Sequence, residues 1–375
     1  MADGDSVHEA VERLEWDDAK RDPEPTPHTR AWQVTRRAAL TGGAAGVAAF
    51  MLDACGGGSG PSSASGNGGS VFGSNKSYKF VFVNHVTTNP FFVPTRYGAE
   101  DACKLLGCSY QWTGSENSNV NEMVNALNSA VSGGADGIAI SLVDLHAFNQ
   151  PVKAALSAGI PVVAYNADAA GNARLAYIGQ DLFKAGQEMG KRIASLVGSG
   201  DVALFIATPG AANIQPRIDG ATQAIKASGK SITPHTIATG AAVPQELTTI
   251  DSYAVAHPNT KGLFAVDGGS TQSVAQVMQK RKLRSKGVKA GGFDLTPVTQ
   301  KLLAADQIDF TIDQQPYLQG FLPVFELYMY KVSQSLTGPA DVNTGLKFLD
   351  SKSVKVYNST KTRYEGTSSA AGISH

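Results

Sequence analysis

Polar segments follow several apolar runs of this 375-residue chain, and they are rich in amide, carboxylate and aromatic side chains. Amides and carboxylates bind hydroxyl groups, and a hydrogen bond to a charged group is about twice as strong as a neutral one. An aromatic ring packs against the C–H face of a sugar or polyol. The pattern therefore predicts contacts to a ligand rich in hydroxyl groups from Asn89, Phe91, Phe92, Ser141, Asn166, Asp168, Asn213, Gln215, Arg217, Asp267, Asp294 and Gln314.

Structural roles compete with ligand contact at several of these positions. Phe91 and Phe92 could be core residues, because aromatic side chains after a strand usually are. Asn166 could serve only to form a turn, since asparagine tolerates that backbone readily. Asp267 and Asp294 could cap the helices that follow them.

Two basic side chains in these segments are open to two interpretations as well. Arg217 contacts either the ligand or an acidic partner in its own part of the fold. His85 either replaces a small polar contact in the first segment or is a packed or solvent-facing histidine without a ligand role.

Apolar runs typical of strands alternate with stretches of helical spacing along most of the chain. Predicted strands cover residues 79–83, 109–113, 137–141, 161–164, 202–207, 232–237, 262–266 and 288–293. Predicted helices cover residues 95–106, 120–131, 148–158, 181–197, 217–228, 246–256, 271–280 and 296–305. Such alternation predicts parallel sheets with right-handed crossovers, and its restart after Gly179 predicts two lobes. We therefore predict an α/β fold of two doubly wound parallel-sheet lobes.

This arrangement brings the polar segments together. In open parallel sheets, ligands bind beyond the carboxyl ends of the strands, where the connecting loops gather. The polar segments follow the strands directly, so we expect their side chains to converge on one cleft.

A paired arginine, a short apolar run and a cysteine form an export signal near the N-terminus. Arg36 and Arg37 precede the small apolar residues 38–52, a run too short to span a bilayer comfortably. Cys55 then follows Leu-Asp-Ala, which resembles the lipobox in which the cysteine thiol is diacylated. We predict a leader over residues 1–54 and an extracytoplasmic protein anchored to the bacterial cell membrane by lipid on Cys55. An uncleaved N-terminal anchor and export by the general route stay open.

Composition limits the partners of the folded part. Thirty-two Lys and Arg balance 32 Asp and Glu, and no basic stripe is present, which argues against nucleic acid or an acidic membrane surface as a partner. Residues 55–77 are mostly Gly, Ser and Asn and predict a flexible linker that spans ~25 Å.

Cys103 and Cys108 flank a predicted helix end at Gly107. In that capping geometry the residue after the glycine contacts the residue five positions earlier. The two cysteines should therefore lie close together, in a compartment that permits oxidation. Either a disulfide or two packed free thiols fits this pattern.

Motifs for catalysis are missing. The chain has no Gly-x-Ser-x-Gly elbow and no His-Glu-x-x-His pair, and its His and Cys residues lack metal-ligand spacing. We predict no enzyme activity, no metal and no cofactor.

Specific segments resemble the sugar-binding branch of the periplasmic solute-binding proteins, the ribose-binding-protein-like group that delivers substrates to ABC transporters. The resemblance covers residues 78–338. Its best-matching pieces are Asn-Pro-Phe-Phe at 89–92, Gly-Ile-Pro-Val-Val at 159–163, Ala-His-Pro at 256–258, Gly-Phe-Asp at 292–294 and Gln-Gln-Pro at 314–316. It implies a hydrogen bond to the ligand from Asn89, ring packing from Phe91 and Phe92, and hydroxyl contacts from Asp294 and Gln314.

Three positions differ from the ribose-binding pattern. Asn166 and Ala167 replace an Asp-Arg pair, Gln215 replaces an arginine with Arg217 two residues on, and Asp267 replaces an asparagine. One charge pair is lost and one carboxylate is gained. These differences leave a related aldose, a pentitol or another small polyol as candidate ligands.

The resemblance implies a monomeric binding protein whose lobes are joined by a three-segment hinge. The N-terminal lobe would comprise residues 78–180 plus 315–338, and the C-terminal lobe residues 181–314 plus 339–358. The tail at 359–375 is expected to be disordered. Its function would be to capture a monosaccharide or sugar alcohol, with affinity near ~1 μM, and to deliver it to an ABC transporter permease. The alternatives are a sensor that presents a sugar or autoinducer to a chemoreceptor or kinase and, less in keeping with the sequence, an exported carbohydrate enzyme or a sugar-binding repressor.

Overall fold

The computed structural model describes residues 77–333, residues 340–359 and Arg363. Two six-stranded sheets, each covered by helices, form two lobes and confirm the predicted fold class. The predicted leader, Cys55, nearly all of the linker and most of the tail lie outside the described residues. Within the described part, no helix is long and apolar enough to cross a membrane.

The first lobe, called the N-lobe, is built on a sheet with the strand order β11-β5-β4-β3-β1-β2, parallel throughout. Its strands are β1 (Lys79–Asn84), β2 (Ser109–Gly114), β3 (Gly137–Ile140), β4 (Val162–Tyr165), β5 (Tyr177–Gly179) and β11 (Val342–Asn343). Its helices are α1 (Val93–Leu106), α2 (Val120–Ser132), α3 (Asn149–Ser157) and α9 (Leu318–Ser333), and a 3₁₀ helix covers Pro90–Phe92.

The second lobe, called the C-lobe, has the strand order β12-β10-β9-β8-β6-β7, in which β12 alone runs antiparallel to its neighbour. Its strands are β6 (Gly200–Ile206), β7 (Ile232–Ala238), β8 (Gly262–Ala265), β9 (Lys289–Phe293), β10 (Phe310–Asp313) and β12 (Lys347–Leu349). Its helices are α4 (Leu182–Leu196), α5 (Gln215–Ala227), α6 (Val243–Ala256), α7 (Gly268–Lys280), α8 (Pro297–Ala304) and α10 (Lys355–Ser359), with a 3₁₀ helix over Arg284–Lys286.

Central strands are buried on both faces, as expected for sheets covered by helices on both sides. Four of the five β1 residues after Lys79 are apolar and have at most 3 % of their surface exposed. Apolar clusters lie on each face of both sheets, so each lobe has two hydrophobic cores, one on either side of its sheet. The strand ends that face the other lobe are thereby held in fixed positions.

The chain crosses between the lobes three times, as the predicted hinge requires: between β5 and α4, between β10 and α9, and between β11 and β12. The third crossing corrects the predicted lobe boundary. Val342–Asn343 pairs with β5 and belongs to the N-lobe sheet, although residues 339–358 were assigned to the C-lobe. A two-residue strand carries too little hydrophobic pattern to be recognised in a sequence.

One residue of the tail predicted to be disordered is packed against α1. Arg363 is 5 % exposed and forms ion pairs with Glu100 and Asp101. Its guanidinium also lies over the Tyr97 ring, 4.8 Å from the centroid. At this residue the expectation of disorder is wrong, because a buried charge pair holds it.

The two cysteines meet at the C-terminus of α1, as the helix-end pattern predicts. Gly107 takes the left-handed conformation, and the Cys108 N–H donates to the Cys103 carbonyl oxygen at 3.0 Å. The thiols hydrogen-bond each other, and this bond together with burial raises the pKa of Cys103. Both are free thiols in the structure, so the disulfide stays a prediction that mass spectrometry of the non-reduced protein can test.

Candidate functional site

A cleft between the lobes contains about 620 Å³ of space, part of it open to solvent. Nine of the twelve predicted contact residues line it: Asn89, Phe91, Phe92, Asn166, Asn213, Arg217, Asp267, Asp294 and Gln314. Their ligand contacts remain predictions, but the convergence expected from the strand ends is present.

The Asn89 side chain has a structural role and still has a free donor for a ligand. Its Oδ1 accepts a hydrogen bond from the Phe91 N–H at 2.9 Å and so caps the 3₁₀ helix Pro90–Phe92. Its Nδ2 group has no partner among the described residues. The cap fixes the orientation of the amide, which leaves the NH₂ group available to a ligand in the cleft.

Two phenylalanine rings form an apolar wall of the cleft. Phe91 and Phe92 pack edge to face with centroids 4.7 Å apart. Phe92 is 2 % exposed and belongs to the N-lobe core, whereas Phe91 is only partly buried. The two rings therefore fit both interpretations, because Phe92 is part of the hydrophobic core and both rings line the cleft.

His85 lines the cleft and connects two residues that were predicted as ligand contacts. Its Nδ1 lies 3.0 Å from Ser141 Oγ, and its Nε2 lies 3.3 Å from Asn213 Nδ2. Burial lowers the pKa of His85 to about 4, so the ring is neutral at neutral pH. Nε2 then accepts from the Asn213 amide, and Nδ1–H donates to Ser141.

This His85–Asn213 bond joins the lobes across the cleft. The Ala212 N–H adds a second inter-lobe bond, to the Val143 carbonyl oxygen at 3.0 Å. The structure therefore represents a closed arrangement of the two lobes.

Arg217 supplies the positive charge of the cleft and is 2 % exposed. Nη1 donates to the Val266 carbonyl oxygen at 2.8 Å, and Nη2 donates to Gln180 Oε1 at 3.0 Å. The guanidinium lies over the Phe293 ring, 4.1 Å from the centroid. Its Nε is buried without a partner among the described residues, although buried donors are usually satisfied.

Close packing of α4 on α5 holds Arg217 in place. A Cβ atom on Gly186 would lie 2.3 Å from the Arg217 carbonyl oxygen, so only glycine allows this approach. The start of α5, which carries the arginine, is thereby fixed to the C-lobe framework.

Asp294 points into the cleft from a strained backbone position. Its φ of 74° is in the left-handed region, which is uncommon outside glycine and concentrates at functional sites. Oδ1 accepts a 2.6 Å bond from Gln314 Nε2, and burial raises the pKa of Asp294 to about 6 against the opposing effect of Arg217. The cap of α8 is Thr296, so the helix-capping alternative for Asp294 is wrong.

A chain of amides runs from Asp294 through the hinge to the N-lobe. Gln314 Oε1 accepts from Gln319 Nε2 at 3.0 Å, and Gln319 Oε1 accepts from Asn166 Nδ2 at 3.2 Å. Asn166 adopts a left-handed φ of 63°, so its turn role and its place in the lining coincide. Gln319 is fully buried and was not predicted, although it follows the Gln-Gln-Pro segment closely.

Asp267 combines the two roles that the sequence left open. Its carboxylate caps α7 by accepting from the Ser270 N–H at 2.8 Å, and it also accepts from the Ala207 N–H at 3.0 Å. Burial raises its pKa, while these two N–H groups oppose the shift. The residue therefore holds two loops of the C-lobe at the cleft and lines it at the same time.

Glu246, which was not predicted, lies beside Asp267 in the lining. It is 2 % exposed on the first turn of α6. The helix dipole stabilises an acidic side chain on the first turn of a helix, so a glutamate at this position does not by itself indicate a binding site.

Three predicted contacts do not line the cleft. Asp168 forms a two-bond ion pair with Arg174, at 2.9 and 2.6 Å. Ser141 lies behind His85 and bonds to it, and the Gln215 side chain is used by Gly210 N–H and by Asp219. Asp168 and Gln215 are occupied by partners four to six residues away in the chain, and Ser141 by a histidine 56 residues away. The structure therefore does not place these three side chains in the cleft lining.

The family model described as periplasmic binding protein domain matches residues 80–333. The chain belongs to the periplasmic binding protein family. The predicted resemblance is thereby confirmed, and members of this family are extracytoplasmic binding proteins.

Two sequence relatives of this periplasmic binding protein carry sugar names. The xylose/arabinose-binding protein of Sulfolobus acidocaldarius is 50 % identical over 308 residues, which cover 78 % of this chain and 76 % of the relative. The ribose import binding protein of Escherichia coli is 26 % identical over 235 residues, 61 % of this chain and 76 % of the relative.

Two solved structures have the same fold. A solute-binding protein of an ABC transporter from Burkholderia graminis, in complex with D-arabinose, superimposes with a TM-score of 0.70 at 27 % identity, over 76 % of this chain and 98 % of that one. A carbohydrate transporter from Acidothermus cellulolyticus, in complex with myo-inositol, gives 0.67 at 26 % identity, over 75 % and 96 %.

Proposed function

We propose that this chain is the substrate-binding component of an ABC importer and captures a neutral monosaccharide or sugar alcohol. The observation that carries the proposal is one cleft in which amides, carboxylates, an arginine and two phenylalanine rings converge from both lobes. The named sugar ligands of its relatives support the same class. They give no indication of a sensor role.

The charge of the cleft favours a neutral ligand. At neutral pH Asp294, whose pKa is about 6, is negative, Arg217 is positive, and the lining histidine is neutral. Asp267 and Glu246 place two further acidic groups in the lining. A cluster of acidic groups in a buried site disfavours uronic acids and sugar phosphates, because like charges repel strongly at low dielectric. Neutral pentoses and polyols meet no such penalty.

Capture would proceed by closure of the lobes. A ligand bound to one lobe gains the contacts of the other only when the hinge closes, so it favours the closed state. The permease would recognise that closed form and receive the ligand. We propose that the protein acts as a monomer and releases its ligand chemically unchanged.

A thermal-shift screen tests the ligand class. D-xylose, D-arabinose and myo-inositol are compared with D-glucuronate, and a ligand at about one hundred times its Kd adds ~2.7 kcal/mol of stability. We expect stabilisation by at least one neutral sugar and none by glucuronate. Stabilisation by glucuronate alone would contradict the proposal, as would recovery of a chemically altered sugar.

Phe91→Ala should weaken binding of the sugar that passes this screen by about tenfold or more, since it removes half of the apolar wall. Calorimetry measures the effect, with Phe183→Ala as the control because Phe183 is an exposed ring on α4 outside the cleft lining. Equal affinities for Phe91→Ala and the control would show that the Phe91 ring does not contribute to ligand binding.

We further propose that the mature protein starts at a lipid-modified Cys55 and works on a flexible tether outside the cell membrane. The motif before Cys55 supports this, and the extracytoplasmic location of the family agrees with it. Cys55→Ala should release the protein from the membrane fraction. Mass spectrometry should find a diacylated N-terminal cysteine in the wild type, and an unmodified mature N-terminus would refute the tether.

A further inference from the structure

The Glu246 carboxyl group has an unsatisfied oxygen in the wall of the cleft. Oε1 receives only a long contact of 3.4 Å from Ser270 Oγ, whose shorter contact, 3.0 Å, is with Thr239 Oγ1. Oε2 is buried and has no hydrogen-bond partner among the described residues. A buried carboxyl oxygen without a hydrogen-bond partner is costly, and a ligand hydroxyl group in the cleft can supply one.

Glycine at position 269 lets the Glu246 carboxyl group lie directly against the backbone. A Cβ atom on Gly269 would lie 2.1 Å from Oε2, so any other residue at this position would displace the carboxyl group. Gly268 and Gly269 both line the cleft together with Glu246 and Asp267. The two acidic side chains are therefore neighbours at one end of the same space.

The surroundings of Glu246 favour its protonated form. Burial, and then the negative charge of Asp267, raise the pKa of Glu246 to about 9, so it is a hydrogen-bond donor at neutral pH. Ser270, the other side chain that contacts it, carries no charge. Arg217 interacts with Asp267 and Asp294 and moderates the negative charge of the group.

We propose that Glu246 and Asp267 form an acid–carboxylate pair that binds one hydroxyl group of the ligand. The hydroxyl oxygen accepts a hydrogen bond from Glu246, and its proton is donated to Asp267. The inference rests on the proposed sugar-binding function and assigns the pair a specificity role within it. The pair selects ligands with a hydroxyl group at that end and rejects deoxy analogues and carboxylates, because either leaves a buried polar group unpaired.

Calorimetry on wild type, Glu246→Ala and Glu246→Gln tests the pair, with D-xylose, D-arabinose and myo-inositol as probes. At neutral pH we expect Glu246→Ala to bind the accepted probe about tenfold or more weakly. Wild-type affinity should fall between neutral pH and about pH 10, because Glu246 ionises and loses its donor. Glu246→Gln keeps a donor and cannot ionise, so its affinity should not show this alkaline fall.

Glu326→Gln provides a matched control. Glu326 on α9 also has a buried oxygen without a described partner and a pKa raised by burial to about 7, but it does not line the cleft. We expect it to keep the wild-type affinity and pH profile. Circular dichroism checks that each variant is folded, and Glu246→Gln is informative even if Glu246→Ala is not folded.

The inference is overturned if folded Glu246→Ala binds like the wild type, or if Glu246→Gln retains the full alkaline fall. Either result leaves the sugar-binding proposal intact, because wild-type binding has then been measured. If the wild type binds no neutral sugar at neutral pH, the proposed function fails, and the inference fails with it.

Discussion

Arg217→Met should abolish measurable sugar binding and lower the free energy of unfolding by about 3–5 kcal/mol, the usual cost of breaking a buried charge arrangement. Among the described residues that line the cleft, Arg217 is the one Lys or Arg side chain, and it faces Asp267 and Asp294. Without it two buried carboxylates lose their counter-charge. Two hydrogen-bond acceptors, the Val266 carbonyl oxygen and Gln180 Oε1, also lose their donors.

Urea unfolding and calorimetry measure the two effects separately. Arg217→Lys keeps the charge but loses the planar fork and the stacking on Phe293, so its effects should be intermediate. Arg281→Met is the control, because Arg281 pairs with Asp251 outside the cleft lining and should change sugar affinity little. An Arg217→Met protein that binds sugar within tenfold of the wild type would contradict the role given to this residue.

Asp294→Asn should weaken sugar binding by about 100-fold at neutral pH, because a charge-assisted acceptor becomes a neutral amide. The Oδ2 atom lies beside Gly268 at the cleft, while Oδ1 is held by Gln314. Asparagine tolerates the left-handed backbone of this position, so the variant changes charge without adding strain.

The same carboxylate predicts a pH dependence. Because the pKa of Asp294 is about 6, wild-type affinity should fall as the pH drops through 6, and Asp294→Asn should lack that fall. Protonation of Asp294 has the opposite effect on the stability of the unliganded protein, which it increases. Burial raises this pKa above its unfolded value, so the ionised group destabilises the unliganded protein above pH 6, and Asp294→Asn should melt at a higher temperature at neutral pH.

Calorimetry at about pH 5 and at neutral pH, with thermal unfolding of the unliganded proteins, checks both signs. Asp251→Asn is the control, since Asp251 pairs with Lys280 and Arg281 outside the cleft lining. Wild-type affinity that rises on acidification would show that the protonated acid, and not the carboxylate, binds the ligand.

Local pattern was sufficient to predict the architecture of the lobes. Alternating strands and helices have clear periodicities, and parallel strands place their following loops at one edge of a sheet. Asn89, Asp267 and Asp294 were placed in the cleft by this rule because each stands directly after a strand or at the start of the next element. The family resemblance supplied the hinge, which periodicity alone does not reveal.

Side-chain partnerships were decided by the tertiary structure. Asp168 is two residues from Asn166, yet its carboxylate forms an ion pair with Arg174 and does not line the cleft. Glu246 has no local sign of function and enters the site only because α6 packs beside the glycines at the start of α7.

The sequence by itself determined the fold class, the position of the loops and the class of chemistry that those loops can perform. The tertiary structure decided which polar atoms are satisfied by the protein and which stay open to a ligand. The physical reason is that strand and loop positions depend on short-range periodicity, whereas hydrogen bonding, burial and pKa depend on residues far away in the chain. Arg217 and Glu246 each have a buried atom without a described partner, and this could be recognised only in three dimensions.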